Sequence, residues 1–495
     1  MAQFTIGVDI GTTGTKTVLV DVAAGRIVAQ ATGDTRLWAE AAGRAEADPH
    51  QWLINVHNTI RQVLTESGVP GDRIGALATT GMVPAVVALD ALGNPVRRAI
   101  LQNDARATRE IETLREATDS AAVLAATGSA ITQQSVAPTA MWLRDNESQT
   151  WQRTAHLVGS YDWVLTALGA APHVELNWLI ESGLGTLDGG RYEPVLAAAG
   201  LASGLVPEAL APGAWAGGLS AEAAEATGLP AGLPLIVGGA DHVLSAYAAG
   251  VNAPGDWLVK LGGAGDVLAA SDTPVVDARL YLDAHPVPGR WLPNGCMATS
   301  GSLIRWFQTL VGGTELTDLD DEAAHRAPAE VLCLPYFLGE KSPLHDPDLR
   351  GAFVGLDLAH TRADMYRAVL EAIAFGFRHH TEVFADIGVD LGQAMVTNGG
   401  SRSVLWKQIL ADVLGAPLSP VVGHPGASLG AALAAAVGTG MVDGWDDIAR
   451  FRTLGDPVTP DPRHVDRYAE AYGQWRELSD LLTPVSHRLA RKDQQ

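Results

Sequence analysis

Cysteine is nearly absent from this chain of 495 residues: only Cys296 and Cys333 occur. Two thiols cannot build a disulfide framework, nor a cysteine zinc site by themselves, and such scarcity fits a reducing compartment. Positive charge is also in short supply. Against 56 Asp and Glu stand 34 Lys and Arg, a formal net charge of -22. So acidic a chain repels nucleic acid and anionic membrane. Any anionic substrate must then be held locally, by backbone amides and a few cations. Long apolar runs are missing too. The most apolar late stretch, Ala427 to Val437, is too short and too alanine-rich to span a bilayer. The amino terminus has no basic region followed by an apolar core, so no signal peptide is expected. These absences point to a cytoplasmic protein with neither nucleic acid nor membrane as partner. No long low-complexity linker occurs, and the polar tail from Ala490 to Gln495 is expected to fray.

What is present is ordinary globular material, 47% hydrophobic and 18% charged, enough for more than one core. Phe4, Ile6 and Val8 alternate with Thr5, Gly7 and Asp9, which predicts a strand. Gly11 to Gly14 turns the chain, Val18 and Val20 continue a second strand, and Ile27 onward a third: an antiparallel meander. Asp48-Pro49 caps a helix running to about Ser67, with Gly68 at its end. "IGALATTG" and "AVVALD" read as further strands, and the alternation that follows predicts an α/β domain. In the middle, a buried strand from Leu233 to Val237 leads through Gly238-Gly239 to Asp241, where a helix begins. Late in the chain, Thr361 and Asp364 open a long helix stopped by Gly388. "AMVTNGGSRS" then reads as strand, glycine loop and helix start, a ready anion or nucleotide site.

The opening "VDIGTTGTKTV" returns at Val259 as "VKLGGAGDVLA". Both carry an apolar strand, G-x-x-G, and more strand, a weak internal duplication. The second copy exchanges signs: Lys260 stands where Asp9 was, and Asp266 close to where Lys16 was. Two such copies, each opening half of the chain, suggest related domains facing one cleft, divided near Gly250 to Pro254.

The opening stretch is not a P-loop, because Gly11 and Gly14 are too close and a strand, not a helix, follows. It reads either as a plain hairpin turn or as a phosphate clasp. In a clasp, backbone amides approach the phosphates, Thr12 and Thr13 add hydroxyls, and Asp9 orients Mg2+ through water. Asp241 reads either as a helix cap or, at a strand's carboxyl edge, as a general base taking a proton from a substrate hydroxyl. Asn398 to Ser403 reads as an adenosine cradle or an ordinary loop. Asp104 and Arg106, beside Gln102 and Asn103, could bond sugar hydroxyls or be solvated loop charges. His379-His380 lack a carboxylate at ligand spacing and read as helix residues.

The set resembles the FGGY family of carbohydrate kinases, within the actin-like ATPase superfamily. "DIGTTGTK" looks like its first phosphate motif, "GGADH" like the motif of its catalytic aspartate, and "LGGAG" stands where the second phosphate motif usually reads G-T-S. "TSGSLIRWF", Leu334 to Leu356, and "NGGSRSVLWKQILADVLGAPL" follow in family order. The resemblance implies two actin-like, ribonuclease H-like α/β domains around a deep cleft, spanning 1–250 and 251–487. It implies ATP and Mg2+ as cofactors and a small sugar or polyol as acceptor, and domain closure that excludes water. On it, Asp9 assists the metal, and Thr12, Thr13 and Lys16 lie near the transferred phosphate, with Gly11 in the same loop. Gly262 and Gly263 serve the second phosphate loop through amides alone. Gly399, Gly400 and Ser401 pack along adenosine, and Asp241 is the base. A homodimer is left open.

The acceptor side departs from the pattern. Where xylulose-phosphorylating members usually read Q-M-H-G, this chain has Gly81-Met82-Val83-Pro84. The family's W-x-D-x-R has become Gln102 to Arg106, without the Trp. Thr139 stands where a Lys is usual, and "VELNWLIESGL" departs from T-D-x-x-N-A-S. Sugar contacts are therefore expected at Met82, Asp104, Arg106 and Asp241, with Trp178 either an apolar platform or a core residue. A ketopentose such as D-xylulose is the default acceptor. The rival is an actin-like nucleotide sensor or assembly module without catalysis; for an actin-like chaperone ATPase, the remaining chain offers no substrate-binding β domain.

Overall fold

The computed structural model describes residues 3–40, 43–424 and 426–492. Two mixed sheets organise it. The first is built from β1 (Phe4–Ile10), β2 (Gly14–Asp21), β3 (Arg26–Asp34), β4 (Ile74–Gly81), β5 (Trp215–Gly218) and β6 (Pro234–Ala240). Its order is β5-β6-β4-β1-β2-β3. The first three strands form the expected antiparallel meander, while β4 and β6 join in parallel. The second sheet is built from β7 (Trp257–Leu261), β8 (Gly265–Ala269), β9 (Tyr281–Ala284), β10 (Trp291–Met297), β11 (Ala394–Thr397), β12 (Leu418–Val422) and β13 (Thr453–Leu454). Its order is β9-β10-β8-β7-β11-β12-β13.

The run β10-β8-β7-β11-β12 repeats β3-β2-β1-β4-β6 strand for strand. Each has an antiparallel hairpin, a third antiparallel strand, and two strands added in parallel. Parallel addition requires a crossover, and in both halves helices supply it. The faint echo between Val8 and Val259 is thus a duplicated topology.

The helices that matter for the site are α1 (Pro49–Ser67), α2 (Leu176–Glu181), α3 (Asp241–Ala249), α4 (Arg362–Asp386), α5 (Val404–Leu414) and α6 (Ala427–Gly438). The Asp48 carboxylate caps α1 by accepting from the His50 amide at 3.0 Å, and Gly68 ends it at φ 67°. Trp52, Val56, Ile60 and Val63 recur at helical spacing and are wholly buried against the first sheet. In α4 the Thr361 amide donates to Asp364 at 2.7 Å, the expected capping arrangement.

The alanine-rich α6 comes from the second half but packs on β1, β4 and β6 of the first sheet, and on α3. Its small side chains let backbone approach backbone. A Cβ on Gly7, mid-strand in β1, would sit 1.9 Å from the Ser428 carbonyl oxygen. A Cβ on Gly430 would sit 2.6 Å from the Leu244 carbonyl oxygen of α3. The helix that begins with Asp241 is therefore clamped from the second half.

Three expectations change. The strand expected to end at Val237 runs on through Gly238-Gly239 to Ala240; a Cβ at 238 would meet the Thr79 carbonyl oxygen at 2.0 Å where the register shifts. "AVVALD" yields only a short strand, Val87–Leu89. Of the tail expected to fray, residues 490–492 continue a helix (Pro462–Lys492), and the rest lies outside the described residues.

Candidate active site

The two glycine hairpins sit at matching places in their sheets. In the first, Ile10 pairs with Thr15 and Asp9 with Lys16; in the second, Leu261 pairs with Gly265 and Lys260 with Asp266. The exchanged charges are thus the same cross-strand pair with signs reversed. Asp266 looked displaced in the sequence because residues 262–264 turn the second hairpin, one fewer than residues 11–14 in the first. Lys260 Nζ lies 3.1 Å from Asp266 Oδ2. The Gly11 amide closes its turn on the Gly14 carbonyl at 2.9 Å. Thr12 is half-buried and Thr13 exposed at the tip. In the second turn the carbonyls of Gly262 and Gly263 accept from the amides of Gly301 and Ser300, at the start of the following helix.

Charges from both halves act on one another here. Burial and the neighbouring Asp241 push the Asp9 carboxyl up to about 7, against the opposing pull of Lys260 and Lys16. Burial draws the Lys16 ammonium below its ordinary value, with Asp9 acting the other way. Asp9 Oδ1 is buried and has no hydrogen-bond partner among the described residues. A buried carboxylate oxygen left without a partner beside a second carboxylate fits a divalent cation. Asp241 opens α3 with its side chain 37% exposed, free enough to meet a ligand.

A cavity of about 540 Å³ brings Gly262 and Gly263 together with Gly399 and Gly400, walled by Ile304 and Tyr366. Gly400 is pressed against its wall: a Cβ there would lie 2.2 Å from Trp406 and 2.7 Å from Leu261. Gly399 has nothing within 4 Å of the same point. Asn398 turns the loop at φ 72°. Ser401 does not line this cavity; its hydroxyl donates to the Asn398 carbonyl at 2.6 Å. Ser403, two residues on, lines it and accepts from the Trp406 amide at the start of α5.

The acceptor-side expectations need correction. Asp104 is 7% exposed and spoken for. Its Oδ1 accepts from the Arg106 amide and Nε, and its Oδ2 from the Ala45 amide and Arg106 Nη2. A carboxylate offers about four acceptor positions, so none is left for a sugar hydroxyl. Burial opposes the charge, but these bonds win and hold the carboxyl below its usual range. Arg106 is tied to Asp104 and to Glu46 at 2.7 Å, its side chain 3% exposed. Trp178 has no exposed surface, hence no face for a sugar; its indole N–H donates to the Ala85 carbonyl at 2.8 Å. It braces the loop of Met82 from behind. Met82 itself is buried, its sulfur 3.8 Å from the Thr12 hydroxyl, under the first hairpin.

The neighbours Gln102 and Asn103 fare better. They line a cavity of about 450 Å³ between the halves, with Gln133, Gln134, Tyr281 and Lys341. Gln102 Oε1 is buried there without a partner among the described residues. Sequence reasoning missed the seam beside Asp241 altogether. His242 Nε2 lies 2.8 Å from Asp283 on β9, and Asn177 of α2 exchanges two hydrogen bonds with the Ala284 backbone, at 2.9 and 2.7 Å. Only the His in "GGADH" signalled it. The histidine pair on α4 is a helix feature as expected: His380 bonds the Gly376 carbonyl and Ser342.

Residues 4–248 match the FGGY family of carbohydrate kinases, N-terminal domain, and residues 259–439 its C-terminal domain. The chain is 24% identical over 495 residues to the xylulose kinase of Lactococcus lactis, covering 98% of each. Among solved structures it is similar to the xylulose kinase from Rhodospirillum rubrum, at 41% identity and a TM-score of 0.91, over 98% of this chain and 100% of that one. It also shares its fold with the gluconate kinase from Lactobacillus acidophilus, at 21% identity and a TM-score of 0.90, over 97% and 98% of the two chains. Among the described residues, no helix is long and apolar enough to cross a membrane.

Proposed function

Since the chain belongs to the FGGY family of carbohydrate kinases, we propose that it transfers the γ-phosphate of ATP to a hydroxyl of a small neutral ketose or polyol, with Asp241 as general base. One observation carries this. Asp9 and Asp241 from the first half and Lys260 from the second act on one another's charge, where the glycine hairpins of both sheets end. Phosphoryl transfer asks for this: positioning, charge stabilisation and a proton acceptor, with little covalent work by the protein.

Adenosine would enter the cavity of Gly262, Gly399 and Gly400, where missing side chains let a ligand approach the backbone. Its phosphates would extend toward Thr12, Thr13 and Lys16. Asp9 would hold magnesium, which when bound neutralises charge on the transferring phosphate. Asp241, exposed at the head of α3, would accept the hydroxyl proton as that oxygen attacks phosphorus in line. The chain division at residues 250 and 251 would leave base and first hairpin on one side, adenosine on the other.

The amides of Gln102, Asn103, Gln133 and Gln134 support a polyhydroxy acceptor, since each can give and take a hydrogen bond. The xylulose kinase relatives make a ketopentose such as D-xylulose the first acceptor to test. A coupled ADP-release assay over ketopentoses, ketohexoses, polyols and aldonates tests the reading. ADP formation that depends on a neutral sugar is expected. ADP release indifferent to every acceptor would overturn it.

A further inference from the structure

His242 follows Asp241 on α3, and both its ring nitrogens face carboxylates. Nδ1 lies 3.5 Å from Asp241 Oδ1, an ion-pair contact; Nε2 lies 2.8 Å from Asp283 Oδ2 and 3.7 Å from Glu181 Oε1. Asp283 comes from the second sheet and its side chain is 1% exposed. The same Oδ2 accepts a second bond from Asn294 at 2.7 Å, which fixes it in place. The backbone around it is docked on α2 through Asn177 and Ala284.

We propose that His242 is a positioning residue for the base: Asp283 of the second half grips its imidazole, and the imidazole holds one oxygen of Asp241, leaving the other for the acceptor hydroxyl. The inference rests on the reading of Asp241 as base. It makes the seam between the halves part of the catalytic geometry, because the group that orients the base is itself oriented from across the cleft.

The chemistry around the ring agrees. The groups facing it are all acidic: Asp241 on its own helix, Glu181 from α2, Asp283 from β9 and, farther off, Asp266 from β8. Burial disfavours a charged ring, but Asp283 and Glu181 outweigh it and hold the imidazole well above its ordinary value. Lys260 of the second half also feels the charge of Asp241. The two halves thus both supply positive charge to one proton acceptor.

The test compares His242→Gln, His242→Ala, Asp283→Asn and Asp241→Asn by kcat, sugar KM, melting temperature and the pH profile of kcat. His242→Gln retains a donor toward Asp283 but no charge. Its kcat is expected to fall about tenfold with sugar KM nearly unchanged. The acid limb of its kcat profile is expected to move up by about one pH unit. Asp283→Asn, which lies on the far side of the ring from Asp241 and keeps an oxygen for Asn294, is expected to shift the limb in the same direction. An unmoved acid limb in both variants overturns the proposal, as does a raised sugar KM at unchanged kcat, which would make His242 a sugar ligand. Near-normal turnover in Asp241→Asn overturns the base reading and this inference with it. An inactive Asp241→Asn beside an unmoved limb overturns this inference alone.

Discussion

Gly399 and Gly400 are adjacent, yet a methyl added to each should do opposite things. At Gly400 the new carbon would lie 2.2 Å from Trp406 and 2.7 Å from Leu261, both wholly or nearly buried. Neither an indole in the core nor a strand residue can withdraw, so the loop must shift. Overpacking of this kind costs about 1–3 kcal/mol. For a half-chain of this size that corresponds to a fall of roughly 2–4 °C in melting temperature per kcal/mol. At Gly399 the carbon meets nothing within 4 Å, and the backbone there is not in the left-handed region. Gly399→Ala should therefore melt like the parent. The space it takes is space in the 540 Å³ cavity. One extra methyl in a fitted pocket is worth about 1–3 kcal/mol, roughly 10- to 200-fold in kcat/KM for ATP. Differential scanning calorimetry and ATP saturation curves on the two variants decide it. Unchanged ATP kinetics in Gly399→Ala would refute the assignment of this cavity to the nucleotide. An unchanged melting point in Gly400→Ala would refute the packing argument.

Asp104→Asn should act on stability, not on acceptor binding: it leaves Arg106 buried and half-unpaired, a loss of about 3–5 kcal/mol, seen as a lowered melting temperature. A raised sugar KM at an unchanged melting temperature would restore Asp104 as a sugar contact. Glu175 gives a pH dependence with a definite sign. Burial pushes its carboxyl up to about 7, against bonds from the Asn177 and Trp178 amides and the Tyr161 hydroxyl. The unfolded chain releases that proton nearer the ordinary glutamate value, about 4.3. Between the two values the fold holds a proton that the unfolded chain does not. Its contribution to stability is therefore complete at the acid end and lost as pH rises through the window. Glu175→Gln, which cannot titrate, should flatten the fall in melting temperature from pH 5 to 8; an identical slope in both proteins would contradict this.

Local features of the chain were legible in the sequence and long-range contacts were not, for a physical reason. Hairpins, glycine loops and caps are local, so Gly11 to Gly14, Asp48-Pro49 and the Asn398 loop could be read from neighbours alone. The sign-exchanged pairs Asp9–Lys16 and Lys260–Asp266 were legible because strand register is short-range. Asp104 and Trp178 were not. Arg106 is near Asp104 in sequence, but Ala45, which takes the last acceptor position of Asp104, and Ala85, the partner of Trp178, lie 59 and 93 residues away, and no local pattern announces a contact of that span. Gly7 looked like an ordinary strand glycine, and Gly238 like a link between a strand and a helix. Their role, to admit Ser428 and Thr79, exists only once the sheet and α6 are assembled. His242 was in plain view, but its meaning depends on Asp283 from the other sheet.

The most direct measurement sets kcat of Asp241→Asn against its affinity for ATP. If Asp241 is the base, its neutralisation should cost roughly 10²- to 10⁴-fold in kcat, while ATP, proposed to bind the glycine cavity of the second half, should bind as in the parent. Sugar phosphorylation at near-parental rates in that variant would contradict the account at its centre.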